Sequence, residues 1–206
     1  MKCTLCQTGL TQNIDEFYFI CNTCGALVKD KQFYPTPENE KNRYEEHNND
    51  VNDINYQNFV SPITNAVLNY FRPTDFGLDY GCGTGPVISK MLIDKGYNVK
   101  LYDPFFRPDG EYRRHLYDYI YCCEVFEHFH NPKQEIEKLI ELLKPGGLLL
   151  IMTSLYQDEI DFGTWRYRND QTHVFIYTAK TFRYIADHFD LSVQQMDDEI
   201  IILKKS

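Results

Sequence analysis

Between Phe76 and Lys95 the chain passes from an apolar run, through Leu78-Asp79-Tyr80-Gly81-Cys82-Gly83-Thr84-Gly85, into a segment of helical spacing. Glycines at alternate positions between a strand and a helix let the backbone turn sharply and approach a ligand closely. The juncture predicts a strand over 76–80, a helix over 86–95, and a nucleotide-like cofactor at Asp79, Tyr80, Gly81, Cys82, Gly83, Thr84 and Gly85. A dinucleotide fingerprint needs G-x-G-x-x-G, whereas the spacing here is G-x-G-x-G preceded by an acid. Asp103 ends the next predicted strand, 98–102. A carboxylate there can accept hydrogen bonds from both ribose hydroxyls.

The alternation continues downstream. Residues 117–123 form an apolar run of strand length, Asn131 precedes a helix opened by Pro132 and ending near Leu143, and 147–153 is another apolar run after the turn Lys144-Pro145-Gly146-Gly147. Such alternation predicts a parallel sheet. Upstream, Val60, Ile63, Val67, Leu68 and Phe71 recur at helical spacing and predict a helix over 58–71, stopped at Arg72-Pro73. Thr178 is placed to cap a last helix reaching about His188, and 191–196 with 199–203 flank Asp197-Asp198 as a terminal hairpin. The expected fold is α/β: a Rossmann-like, doubly wound sheet with a terminal antiparallel hairpin.

The G-x-G-x-G loop with its preceding acid resembles the first motif of class I S-adenosylmethionine-dependent methyltransferases. Glu124-Val125-Phe126-Glu127-His128-Phe129, Asn131-Pro132 and Leu143-Lys144-Pro145-Gly146-Gly147 are similar to later landmarks of that family. Arg43-Tyr44 with His47-Asn48, Tyr102-Asp103-Pro104-Phe105-Phe106, and Trp165 with Tyr167-Arg168 and Thr172-His173-Val174 resemble a group of small bacterial type 23-like methyltransferases with zinc ribbons. The resemblance implies S-adenosylmethionine on Asp79 to Gly85, Asp103, Pro104 and Glu124. It further implies a substrate wall containing Trp165, Tyr167 and Arg168, and a lid containing Tyr44, His47 and Asn48. Where the family fits a helix, a third strand and an adenine-contacting acid, this chain has 13 residues between Asp103 and Tyr117. That layer is expected to be shortened, with Asp109 and Glu111 as candidate adenine contacts.

Cys3, Cys6, Cys21 and Cys24 give C-x2-C-x14-C-x2-C, a spacing that brings two thiolate turns onto one tetrahedral ion. Four sulfurs leave no open position, so zinc held there is expected to be structural. With a short strand at 17–20, residues 1–32 are expected to form a zinc ribbon, 33–57 a linker with a lid helix, and 58–206 the methyltransferase domain. A chelator is then expected to melt the ribbon while leaving cofactor affinity nearly intact. The total of seven cysteines is odd and leaves disulfide pairing incomplete; Cys82, Cys122 and Cys123 read as small apolar fillers.

Methyl transfer leaves the protein to align the acceptor and sometimes to remove its proton. His128, His173 and Glu124 are the candidate catalytic groups; Glu127 reads as a brace or cap for the following helix. Enzymes that methylate base amino groups often carry Asn/Asp-Pro-Pro-aromatic where this chain has Cys122-Cys123-Glu124-Val125, which favours an oxygen or carbon acceptor. A net charge of −9 disfavours nucleic acid, and a small-molecule acceptor is expected; the alternatives are an RNA methyltransferase that uses the ribbon for substrate recognition, and a non-catalytic cofactor-binding module with the ribbon as its docking surface. No apolar run reaches the roughly 18 residues a membrane span needs, and Met1-Lys2-Cys3 opens onto a polar segment, so a cytoplasmic protein without a membrane partner is expected.

Overall fold

The computed structural model describes residues 1–46 and 49–206. At the N-terminus, β1 (Gln12–Asn13), β2 (Tyr18–Ile20) and β3 (Leu27–Lys29) form an antiparallel meander. Thr36 caps α1 (Pro37–Glu45), its hydroxyl accepting from the Asn39 N–H at 3.3 Å. The single helix predicted over 58–71 is instead two, α2 (Ile54–Phe59) and α3 (Ser61–Tyr70). The reason is Pro62: lacking an N–H, it fits the first turn of a helix and not its interior.

The main sheet contains β4 (Phe76–Tyr80), β5 (Asn98–Tyr102) and β6 (Tyr117–Cys123), all with the predicted bounds. Between the first two runs α4 (Val87–Ile93), and after the third α5 (Pro132–Leu142). Asn131 takes the cap position of α5, but its side chain makes no capping bond. The next strand, β7 (Leu143–Met152), starts earlier than predicted because its register against β6 shifts between Tyr117 and Tyr119. Lys144 to Gly147 is thereby absorbed as a bulge, with Gly146 at φ +76°.

The chain then forms β8 (Phe175–Ile176), α6 (Ala179–His188), β9 (Leu191–Met196) and β10 (Ile201–Lys205). The order is β5-β4-β6-β7-β10-β9: β5, β4, β6 and β7 are parallel, and the terminal hairpin adds antiparallel. Side chains alternate across strands, so Ile120 and Cys122 join a core with α5 and α6 while Tyr119 and Tyr121 join one with α3 and α4. This is the doubly wound arrangement. After β5 the shortening is complete: a 3-10 turn at Gly110–Arg114 stands in place of a third strand and helix, and Tyr112 stacks on Tyr102 at 3.8 Å.

β8, which no local spacing predicts, pairs with β3 and so adds a strand to the N-terminal meander. Leu5, Val28, Cys3, Cys21 and Cys24 pack in the same cluster as Phe126, Tyr177 and Phe182 of the main body, with Cys6 packed against it. No helix among the described residues is long and apolar enough to cross a membrane.

Candidate active site

At the carboxyl ends of β4, β5 and β6 lies a cleft of about 650 Å³, within the size range of small-molecule sites. Asp79 to Gly85, Asp103 and Pro104 all line it, together with Glu124, His128 and His173. Gly81 and Gly83 sit at φ +87° and +60°, in the left-handed region that glycine enters without strain. A Cβ on Gly81 would lie 2.5 Å from Val125, and one on Gly85 would lie 1.9 Å from the Asn49 carbonyl oxygen. The loop is thus a bare backbone cradle pressed between β6 and the segment after α1.

Asp103 holds this cradle. Its Oδ2 accepts from the Gly83 N–H at 3.0 Å, and its Oδ1 accepts from the Phe105 and Phe106 N–H groups at 2.8 and 3.0 Å. A carboxylate offers about four acceptor positions, so three bonds leave about one for a ribose hydroxyl. Asp79 points the other way: its Oδ2 accepts from the Ser89 hydroxyl at 2.6 Å, and burial pushes it up to about 7. Cleft and residues fit an adenosyl cofactor: glycine backbone, a strand-end carboxylate, and the rings of Phe105 and Phe106.

Asp109 and Glu111 do not line the cleft. Asp109 caps the 3-10 turn by accepting from the Glu111 N–H at 3.0 Å, and Glu111 pairs with Arg114 at 3.0 Å. They face solvent on the shortened connection, and Phe105 and Phe106 line the cleft instead.

Over the cleft, the Tyr44 ring lies 5.6 Å from Phe105 and 5.1 Å from His128. α1 is tied down by Arg43, which donates to Asp170 Oδ2 from Nε at 3.1 Å and Nη2 at 2.8 Å, and by Glu40, whose carboxylate is 2.8 Å from His130 Nε2. His47 and Asn48 lie outside the described residues. Of the segment expected as a wall, Trp165 packs on Tyr167 and Tyr156 in a cluster with Tyr18 and Phe162, away from the cleft. Arg168 also turns away. Its Nε donates to Asp15 Oδ2 at 2.8 Å and its guanidinium lies over the Phe17 ring, which fixes it to the N-terminal unit. Tyr167 places its hydroxyl 2.7 Å from the Thr153 hydroxyl and its ring 4.1 Å from His173.

Glu124 follows β6 at φ +52°, a conformation costly for a residue with a side chain. Burial, then the neighbouring Glu127 carboxylate, push it up to about 9. His173 is pulled down to about 4 by burial, which keeps it neutral. Glu127 neither caps nor braces the following helix: it is fully buried and accepts from Thr153 Oγ1 at 2.9 Å. Its meeting with His128 and His173 depends on the backbone bond from Val174 N–H to Glu127 O, a tertiary contact with no signal in local spacing.

The sulfurs of Cys3, Cys6, Cys21 and Cys24 lie within 4.8 Å of one another, at 3.6 Å for Cys3 to Cys24 and 3.3 Å for Cys6 to Cys21. Sulfurs about 2.3 Å from a tetrahedral ion stand roughly 3.8 Å apart, so the set fits one zinc ion. Disulfide bonds are excluded at these separations.

The family described as a methyltransferase domain matches residues 53–196, well over half of the chain. The chain belongs to that family. Curated relatives of this methyltransferase include ubiquinone biosynthesis O-methyltransferases from Rickettsia akari, 27% identical over 50% of this chain and 49% of the relative, and from Rickettsia canadensis, 31% identical over 37% and 41%. The chain matches about half or less of these relatives' length. Among solved structures, a 1,6-didemethyltoxoflavin-N1-methyltransferase from Burkholderia thailandensis with bound S-adenosylhomocysteine superposes with a TM-score of 0.57, at 14% identity over 96% of this chain and 100% of that one. An O-methyltransferase family protein from the same organism gives 0.54, at 15% identity over 81% and 63%. At such identities these neighbours establish the class I methyltransferase fold.

Proposed function

We propose that this methyltransferase moves a methyl group from S-adenosylmethionine to an oxygen of a small acceptor. The observation that carries the reading is the meeting of the glycine cradle and Asp103 in one cleft, at the strand ends where ligands of open α/β sheets gather. The sulfonium supplies the reactive methyl group. Asp103 and the backbone of Gly81 to Gly85 would hold the adenosyl part, and Phe105 and Phe106 would flank its ring. Tyr44 and α1 would shut water out of the cleft, held by Arg43 on Asp170.

An oxygen acceptor is supported by the O-methyltransferase names of the curated relatives and by Cys122-Cys123-Glu124-Val125 at the end of β6. Tyr44, Tyr56 and Phe59 give the cleft an aromatic side suited to a planar or apolar acceptor. The four N-terminal thiolates would hold a structural zinc ion. Calorimetry of zinc-replete protein with S-adenosylhomocysteine, followed by turnover of labelled S-adenosylmethionine on fractions of a small-metabolite extract, tests the reading. Micromolar binding with transfer to one fraction is expected. Absence of cofactor binding would overturn it; binding with transfer only to RNA or protein would overturn the small acceptor.

A further inference from the structure

Under the cleft, a fully buried carboxylate faces two imidazoles. Glu127 Oε2 accepts from Thr153, but its Oε1 has no hydrogen-bond partner among the described residues. A buried carboxylate oxygen left so is unfavourable unless a donor or cation reaches it. His128 Nδ1 lies 3.0 Å from the Thr172 carbonyl oxygen, and His173 Nδ1 lies 2.6 Å from the Tyr167 carbonyl oxygen. A carbonyl only accepts, so each Nδ1 carries a proton, and in the neutral ring each Nε2 offers its lone pair. Metal-bound imidazoles are oriented in this way, the outer N–H fixed by a carbonyl or carboxylate.

One ligand atom from each of Glu127, His128 and His173 lies within 4.8 Å of the other two, and Glu127 Oε1 is 3.9 Å from His128 Nε2. Ligands about 2.0–2.1 Å from a tetrahedral ion stand roughly 3.3–3.4 Å apart, a closure that side-chain rotation can supply. We propose that Glu127, His128 and His173 bind a divalent first-row transition-metal ion beside the cofactor cleft. Nitrogen and oxygen ligands distinguish this site from the all-sulfur set at the N-terminus, and three ligands leave positions open. His128 and His173 line the cleft, so those positions open onto it.

This role rests on the methyltransferase reading. A hydroxyl acceptor would coordinate through its oxygen and lose its proton to solvent more readily. The oxygen lone pair then forms the new bond to the methyl carbon as the carbon–sulfur bond breaks, and the sulfur keeps that electron pair. The acceptor class that fits is a small molecule with a hydroxyl able to ligate a metal.

Titration of zinc-replete protein with Co²⁺ or Mn²⁺, read by calorimetry and metal analysis, tests the site. One ion at the four cysteines and a second without a thiolate-to-cobalt charge-transfer band are expected. Glu127→Gln and His173→Gln should each weaken the second ion at least about tenfold, with the first retained. Wild-type stoichiometry decides the matter even if a variant misfolds: no second ion, with or without S-adenosylhomocysteine, overturns the proposal. A second ion undisturbed in both folded variants overturns it equally. S-adenosylhomocysteine titrated into the same samples separates the two readings. Cofactor binding without a second ion sinks the metal site alone, while a second ion without cofactor binding supports the site and sinks the methyltransferase reading.

Discussion

The Asp79 carboxyl is raised to about 7 chiefly by burial, against the lowering effect of the Ser89 and Tyr121 hydroxyls. In the unfolded chain it titrates near its ordinary value of 3.8, so the fold favours the protonated acid. Its contribution to stability is fully present below about pH 4 and is lost as pH rises through about 7; the size is on the order of 4 kcal/mol. Urea midpoints of cofactor-free protein should therefore fall from pH 4 to pH 8, and Asp79→Asn should flatten that fall. Parallel curves for the two proteins would assign the pH dependence elsewhere. Asp103→Ala removes the acceptor for three backbone N–H groups and, on the proposed reading, for a ribose hydroxyl, and charged hydrogen bonds are worth about 1.5–3 kcal/mol. S-adenosylhomocysteine should bind roughly 10- to 100-fold more weakly in calorimetry; unchanged affinity would refute the assignment. Both positions were legible in the sequence, Asp79 because it precedes the glycine loop at the end of β4 and Asp103 because it follows β5 directly. Glu127 was not, since its burial depends on Thr153 and His173 arriving from distant segments.

Elements were legible where a buried run had clear punctuation. β4 and β6 match their predicted bounds because central strands covered on both faces read as mostly apolar runs, while the half-buried edge strand β5 matches through its alternating Val99 and Leu101. β8 escaped because two residues carry no periodicity, and its partner β3 belongs to the opposite end of the chain. The division at Val60 escaped because apolar spacing runs on through Pro62 while the backbone restarts there. Thr178 illustrates an element boundary with two tasks. Its hydroxyl accepts from the Thr181 N–H at 3.1 Å to cap α6, and lies 3.3 Å from Gly25 O of the N-terminal unit. Thr178→Ala should cost about 0.5–2 kcal/mol of unfolding free energy, read from the urea midpoint, with Thr178→Ser restoring most of it. An unaltered midpoint in Thr178→Ala would mean that α6 gains nothing from this cap.

For the whole molecule, the N-terminal unit is part of the support of the cleft. The Tyr18 hydroxyl donates to the His173 carbonyl at 2.6 Å, the Lys29 ammonium donates to the Gln171 carbonyl at 2.8 Å, and β3 pairs with β8 just beyond. The Val174 N–H then donates to Glu127 O at 2.9 Å, carrying the contact to the end of β6. Loss of zinc should therefore disturb the cleft, contrary to the independence expected from the spacing of the cysteines alone. Cys24→Ser tests this better than a chelator, which would also strip the ion proposed at Glu127, His128 and His173. Because Cys3, Cys21 and Cys24 are buried in the main core and Cys6 packs against it, the variant should unfold in one transition at lower temperature, not in two. Its affinity for S-adenosylhomocysteine should fall at least about tenfold at temperatures where the wild type is folded, equivalent to about 1.4 kcal/mol. A separate low-temperature transition with unchanged cofactor affinity would show that the ribbon melts alone, and that the bonds from Tyr18 and Lys29 do not position the loop carrying His173.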